Sequence, residues 1–287
     1  MSNLILDLTN YLDRYKSKGF IKTLYKFALK TGLVKRFHEY RSKLKEVRFR
    51  IKLYNADIEM IDRSPKFYYY NLFQKQGGYE PALTKKIHDL LGSLENPFFI
   101  DIGAHFGYYT MLAGKWIKGD NPVYAFEPNP DFFETLKENI SINNLTDKVK
   151  PWQIALSNKK GTANMTGWDS RTMSEDEKGS IDTFTFDQFC ERERIKPDII
   201  KIDVHGAEGK ILGGMPRVLK EVSHIFCETH NSMMGFTVKD IVKMMVDGGL
   251  TVYEFTDHRN SKGGDIIPLD KKVYSDHNDR IIYGVRE

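Results

Sequence analysis

Residues 98–110 read Phe98-Phe99-Ile100-Asp101-Ile102-Gly103-Ala104-His105-Phe106-Gly107-Tyr108-Tyr109-Thr110. The apolar run Phe98–Ile100 has the character of a strand buried on both faces, as in a parallel sheet. It ends at Asp101 and turns through Gly103 and Gly107 into Tyr109–Ile117, whose composition suits a helix. Glycines at such a turn let the chain bend sharply and let a ligand approach the backbone. Strand, glycine loop and helix open a nucleoside- or dinucleotide-binding α/β unit. Glu127 stands twenty residues beyond Gly107, after a second apolar run, Val123–Phe126. A carboxylate there can accept both hydroxyls of an adenosine ribose. The glycine spacing alone is a weak signal, and the acid in register with it makes the pattern more specific.

The loop is not of the phosphate-binding kind. It reads Gly-x-x-x-Gly and lacks the Gly-x-Gly-x-x-Gly that brings a pyrophosphate onto a helix N-terminus. Asp101 at its mouth would repel a phosphate but can accept from an amino group. Adenosine carrying an amino acid, S-adenosylmethionine, fits both acids. The plainer alternative is that Asp101 caps the turn and the glycines only pack.

At 287 residues the chain can hold one α/β domain and an extension. Residues 1–52 carry 14 Lys and Arg against 4 Asp and Glu, whereas the remainder carries 29 against 35. This uneven charge divides the chain into a basic amphipathic helical arm, 1–54, and a catalytic domain, 55–287. The mildly acidic domain argues against a nucleic-acid grip along its surface. The arm has three candidate uses: packing on its own domain or a second subunit, resting on an anionic membrane surface, or holding a polyanionic substrate. Cys190 and Cys227 form neither a disulfide framework nor a zinc spacing, which points to a reducing compartment. No apolar run approaches a membrane span and no leader pattern is visible, so the expected location is cytoplasmic, peripheral to a membrane if the arm binds one.

Along the chain, the aromatic-dense segment Ser64–Tyr79 is either packing or the wall of a groove that stacks on a sugar or base. A helix from Glu80-Pro81 to Leu91 precedes the first strand. Asn129 and Pro130 start a helix to Ile142. Further strands are expected at Val149–Leu156, Asp198–Asp203, Val222–Glu228, Leu250–Phe255 and Arg280–Val285, with a short one near Thr162–Met165. Helices are expected over Thr185–Arg194, from Glu208 to Lys220, and over Val238–Val246. The connection before Arg280 lacks a helical pattern, so the last strand should run antiparallel to its predecessor.

These motifs together resemble the FkbM family of S-adenosylmethionine-dependent methyltransferases. The likeness rests on Asp101–Thr110, Phe126-Glu127-Pro128-Asn129-Pro130, Ala155-Leu156-Ser157, Ile181-Asp182-Thr183-Phe184 and Lys201-Ile202-Asp203-Val204-His205-Gly206-Ala207-Glu208. It spans the core from Tyr79 to Glu228 and leaves the arm uncovered. The resemblance implies a class I methyltransferase (Rossmann-like) α/β fold, with a seven-stranded, mostly parallel sheet and an antiparallel last strand. It implies methyl transfer to oxygen, often of a sugar or polyketide hydroxyl. It also implies that Glu80, Asp101, Gly103, His105, Gly107, Tyr109, Thr110, Glu127, Asn129 and Ala155 hold the cofactor. Two residues depart from the family pattern: His105 stands where Asn is usual, on the methionine side, and His205 where Glu is usual, on the acceptor side.

Asp203, His205, Glu208, Glu228 and His230 sit at the ends of the fourth and fifth strands, which flank the methyl site in this fold. Asp203, Glu228 and His230 could chelate Mg or Mn and lower the pKa of an acceptor hydroxyl. Without metal, His230 or His205 would be the general base, oriented by a carboxylate. Glu208 also has a plain structural reading. The expected function is O-methylation of a sugar, glycan or glycolipid. One rival is a nucleic-acid ribose 2′-O-methyltransferase, which Lys201 and Asp203 fit poorly. Another is a non-catalytic scaffold, possible as a homo-oligomer; a nicotinamide dehydrogenase disagrees with the loop spacing.

Overall fold

The computed structural model describes residues 46–287 except 64–66, 77, 167–171, 176–180, 231–234, 257–263 and 270–279. The arm expected over 1–54, with its membrane, subunit or polyanion contacts, lies outside the described residues as far as residue 45. Its last part is not helical. β1 (Val47–Leu53) pairs with β2 (Ala56–Asp62) in a two-stranded sheet. Val47, Phe49, Ile51 and Leu53 alternate with Arg48, Arg50 and Lys52, the period of a strand, and Val47 and Ile51 are buried. Arg50 and Lys52 lie 3.0 and 3.6 Å from the Asp57 carboxylate. Of the aromatic segment, α1 covers Tyr68–Gln76. Phe67 and Tyr70 are buried against Val47, with the Phe49 and Tyr70 rings 5.5 Å apart, so these aromatics pack.

The described residues divide into two compact units, one of 46–53 with 57–79, the other of 54–56 with 80–287. The larger unit begins α2 (Pro81–Ser93), β3 (Phe99–Ile102), α3 (Tyr108–Trp116), β4 (Val123–Phe126), α4 (Pro130–Ile142) and β5 (Val149–Trp152). It continues through β6 (Ala155–Leu156), β7 (Gly161–Thr166), β8 (Thr172–Glu175), β9 (Ile181–Phe184) and α5 (Phe186–Glu193). It closes with β10 (Ile199–Asp203), α6 (Glu208–Gly213), β11 (His224–Thr229), α7 (Val238–Asp247), β12 (Thr251–Phe255), β13 (Ile266–Pro268) and β14 (Arg280–Val285).

The main sheet has the order β13-β12-β14-β11-β10-β3-β4-β5. Neighbours from β11 to β5 are parallel, and β14 is antiparallel to both β11 and β12. This is the expected α/β sheet with its reversed last strand, widened to eight strands by β13 on the edge of β12. All residues of β3 and β4 are buried, as suits the apolar run of β4 and that of β3 interrupted only by Asp101. From β3 the chain steps outward to β4 and β5, then crosses to β10 and β11 on the other side. The carboxyl ends of β3 and β10 are therefore the topological switch point, where open α/β sheets bind ligands.

Two expectations are corrected. The third strand, expected to reach Leu156, ends at Trp152. Pro151 cannot donate to a ladder and sits on the sheet's edge strand, and Ala155–Leu156 join a second sheet of order β6-β9-β7-β8. The helix expected to reach Lys220 stops at Gly213, followed by Gly214 and Pro216. A Cβ on Gly214 would lie 2.1 Å from the Ser157 carbonyl oxygen, so that position serves a close crossing of backbones. Among the described residues no helix is long and apolar enough to cross a membrane. Cys190 and Cys227 are free and buried.

Candidate active site

The loop from β3 to α3 is shaped by its glycines. Gly103 and Gly107 have φ of +79° and +90°, a region L side chains rarely adopt. A Cβ on Gly103 would lie 1.9 Å from the Asp203 carbonyl oxygen, so this loop passes directly against the end of β10. The N–H groups of Gly103 and Ala104 both donate to the Phe126 carbonyl at 2.9 Å, which ties the loop to the end of β4.

This path sets the two acids. The buried Asp101 accepts from Thr110 Oγ1 at Oδ2, 2.6 Å, while Oδ1 lies 3.4 Å from Lys201 Nζ and has no hydrogen-bond partner among the described residues. Glu127 accepts the His105 N–H at Oε2, 2.8 Å, and the Asn129 N–H at Oε1, 2.9 Å. Burial pushes the Glu127 carboxyl up to about 7, against the pull of those two N–H groups. Asn129 also caps α4, its Oδ1 accepting from the N–H groups of Asp131 and Phe132. The His105 ring lies 4.0 Å from Phe132 and 4.1 Å from Phe106, between centroids. The departure from Asn at this position therefore sits beside Glu127 and α4. Glu80 accepts from Tyr109 Oη at 2.7 Å, and burial together with the Glu228 and Asp203 charges raises its carboxyl to about 8. Ala155 is buried in β6 opposite Thr183.

Across the switch point, Lys201 is buried in β10 in register with Asp101 of β3. Its Nζ lies 3.4 Å from Asp101 Oδ1 and 3.5 Å from Asp203 Oδ2, and 5.1 Å above the Tyr109 ring. Desolvation works against its charge, but Asp101, Asp203, Glu80 and Glu228 hold its pKa above the usual lysine value. Lys201 thus joins the two groups of acids, a role the sequence reading missed. The available signal was a lysine inside an otherwise apolar strand, two residues before an acid.

Asp203 meets a second cation on its other oxygen, with Oδ1 3.8 Å from His230 Nε2. Burial raises its pKa, but Lys201, His230 and His205 outweigh it and leave the carboxylate below its ordinary range. His230 Nδ1 lies 2.6 Å from Oε1 of the buried Glu208, which also accepts the Gly206 N–H at 3.3 Å. Burial disfavours the imidazolium, yet the Glu208 hydrogen bond and the charges of Asp203, Glu208 and Glu228 raise His230 to about 9. Such an imidazole keeps its proton near neutrality and suits a charged donor better than a base. The His205 and His230 rings are 4.5 Å apart, edge to face. Glu228, buried and in register with Asp203 across β10 and β11, does not join the expected metal set. The group whose ligand atoms all lie within 4.8 Å is Asp203, His205 and His230. His205 takes the expected place of Glu228 because the turn after β10 folds it toward His230.

The chain is 28% identical over 163 residues to the hexuronic acid methyltransferase AglP of Haloferax volcanii, covering 55% of this chain and 64% of that protein. It is 30% identical over 112 residues to the methyltransferase sdnD of Sordaria araneosa, covering 38% and 42%. It therefore spans less than two thirds of the length of either relative. Among solved structures, a methyltransferase FkbM from Methylobacillus flagellatus KT is similar at 14% identity and TM-score 0.46, over 76% of this chain and 53% of that one. An O-methyltransferase from Bacillus cereus in complex with SAH is similar at 16% identity and TM-score 0.42, over 72% and 81%. Residues 101–260, more than half of the chain, match the methyltransferase FkbM domain, and the protein belongs to that family.

Proposed function

We propose that the protein transfers a methyl group from S-adenosylmethionine to a hydroxyl oxygen of a sugar, free or within a glycan or glycolipid. The observation that carries this reading is the pair Asp101 and Glu127 on either side of a glycine turn, with a separate acid–imidazole group at the ends of the adjoining strands. The donor residues fit the cofactor. Asp101 Oδ1 is a buried acceptor without a hydrogen-bond partner among the described residues, which suits an ammonium group. Each Glu127 oxygen accepts one backbone N–H and retains capacity for a ribose hydroxyl. Gly103 and Gly107 give the loop its positive-φ path, Thr110, His105 and Asn129 hold these acids, and Glu80 and Tyr109, bonded to each other, are assigned to the cofactor by family resemblance. Ala155 is assigned to the adenine side by family resemblance.

Bound S-adenosylmethionine supplies a methyl group already activated on a sulfonium. The chain's remaining tasks are to align an acceptor and to remove its proton. An alcohol becomes strongly acidic as the new C–O bond forms, so a weak base is sufficient late in the step. Asp203, kept ionised between Lys201 and His230, is the proposed base, with His205 and Glu228 beside the acceptor. The name of the relative from Haloferax volcanii supports a uronic acid as a first acceptor to try.

The test is incubation with methyl-labelled S-adenosylmethionine and a panel of uronic-acid glycans, neutral glycans, glycolipids and RNA, with products read by mass spectrometry. The expected result is label on a sugar oxygen of a glycan or glycolipid. Label confined to RNA ribose, or no binding of S-adenosylhomocysteine by calorimetry, would overturn the reading.

A further inference from the structure

The turn after β10 and the end of β11 carry an arrangement that transfer from a sulfonium does not itself demand. Asp203, His205 and His230 are half-buried, and each offers a ligand atom within 4.8 Å of the other two. The 3.8 Å between His230 Nε2 and Asp203 Oδ1 is too long for a hydrogen bond. It is a separation at which two ligands can share one ion. An independent feature concerns the far side of the His230 ring. Nδ1 is engaged at 2.6 Å by Glu208, whose side chain is fully buried and is itself held by the Gly206 N–H. This bond takes up Nδ1–H and aims Nε2 toward Asp203, so that an ion entering the site would displace the Nε2 proton. A carboxylate that fixes the tautomer of a ligating imidazole in this way is the usual outer partner of a metal-bound histidine.

We propose that Asp203, His205 and His230 form a site for a divalent transition metal, with Glu208 as the residue that positions His230. Two imidazoles and one carboxylate suit Mn, Fe, Co or Zn, whereas Mg prefers oxygen ligands. The class of ion is thus narrower than acids alone would set, and Glu228 is not among its ligands. For its use, in which a bound ion would lower the pKa of the acceptor hydroxyl in place of Asp203 acting directly as base, the inference rests on the proposed methyl transfer; the site itself rests on its ligands.

The full chain is stripped with chelator, dialysed, and titrated with Co(II) alone, read by its visible absorption bands and by calorimetry. S-adenosylhomocysteine is titrated separately. The expected result is saturable binding of one ion per chain, with bands characteristic of imidazole ligation. His205→Ala and His230→Ala should each weaken it by at least about tenfold, and Glu208→Gln by about tenfold. Circular dichroism confirms the fold of each variant, and His205, on a half-buried turn, supplies the substitution that least disturbs it. No saturable Co(II) binding, or binding by His205→Ala equal to that of the parent, would overturn the proposal. Co(II) held without S-adenosylhomocysteine would leave the site standing and remove the methyl-transfer reading. S-adenosylhomocysteine held without Co(II) would do the reverse.

Discussion

Two neighbouring groups of acids in this protein are held by different means. At the ends of β3 and β4, Asp101 accepts from the Thr110 hydroxyl and Glu127 from two backbone N–H groups. Those donors are neutral and follow from the paths of the two loops after β3 and β4, with the Lys201 ammonium beside Asp101 at 3.4 Å as the link to the other group. At the ends of β10 and β11, Asp203 lies between Lys201 and His230, and Glu208 is bonded to His230. Here charge balances charge across strands. A carboxylate fixed by backbone donors is ready for hydroxyl or ammonium groups without rearrangement. One fixed by side-chain cations is more sensitive to substitution, because removing a partner leaves a buried charge uncompensated. The first group should therefore govern binding, and the second rate and stability.

The sharpest way to separate the groups is Asp203→Asn, which keeps the shape and removes the charge. Methyl transfer should fall by about a thousandfold while S-adenosylhomocysteine affinity, by calorimetry, stays at the parent value. Loss of affinity equal to the loss of rate would merge the two groups into one. Lys201→Met should act next most strongly, and on stability. It leaves Asp101 and Asp203 buried without their shared cation, at a cost of about 3–4 kcal/mol in urea unfolding. An unchanged midpoint would mean that Lys201 does not hold the groups together.

The group around Asp101 and Glu127, the proposed donor group, was legible as a local arrangement because a single strand–loop–helix passage and the strand after it build it. Val123–Phe126 is an unbroken apolar run and becomes β4 with those bounds, and Asn129-Pro130 announces α4. The reversal of β14 followed from a connection without helical pattern. The group around Asp203 and His230, the proposed acceptor group, is non-local and was read only in outline. Strand ends gave Asp203, Glu228 and His230, but side-chain spacing along a strand says nothing of where the next turn sends His205. Lys201 became a bridge only once β10 lay beside β3 in register. The hairpin β1–β2 was hidden by its own charge, since basic residues repeating on a helix face and basic residues alternating along a strand differ only in period. The second sheet was hidden by brevity, because β6 has two residues and β9 four, too few for a pattern.

The smallest effect expected concerns pH and belongs to the donor group alone. Glu127 titrates at about 7 in the folded protein against an ordinary 4.5, with burial as the cause. Its folded-state pKa is raised, so its contribution to stability is complete below about pH 4.5 and is lost as pH rises through about 7. Part of the shift is relieved by relaxation around the ionised group, which leaves a loss of roughly 2 kcal/mol. Glu127→Gln cannot ionise, and its amide accepts on one oxygen where the carboxylate accepts on two. It should start less stable at low pH and then lose less between pH 5 and 8, so the two stability curves converge. Ligand binding should move in the opposite sense. Ribose hydroxyls donate best to the ionised carboxylate, so S-adenosylhomocysteine affinity of the parent should rise through pH 7, while that of Glu127→Gln stays low and flat. Calorimetry across this range in buffers of different ionisation enthalpy would show a proton released on binding to the parent and none to the variant. Equal slopes in both proteins would shift the pH dependence to Glu80, whose carboxyl is raised by the acids of the acceptor group, and would blur the boundary between the two regions.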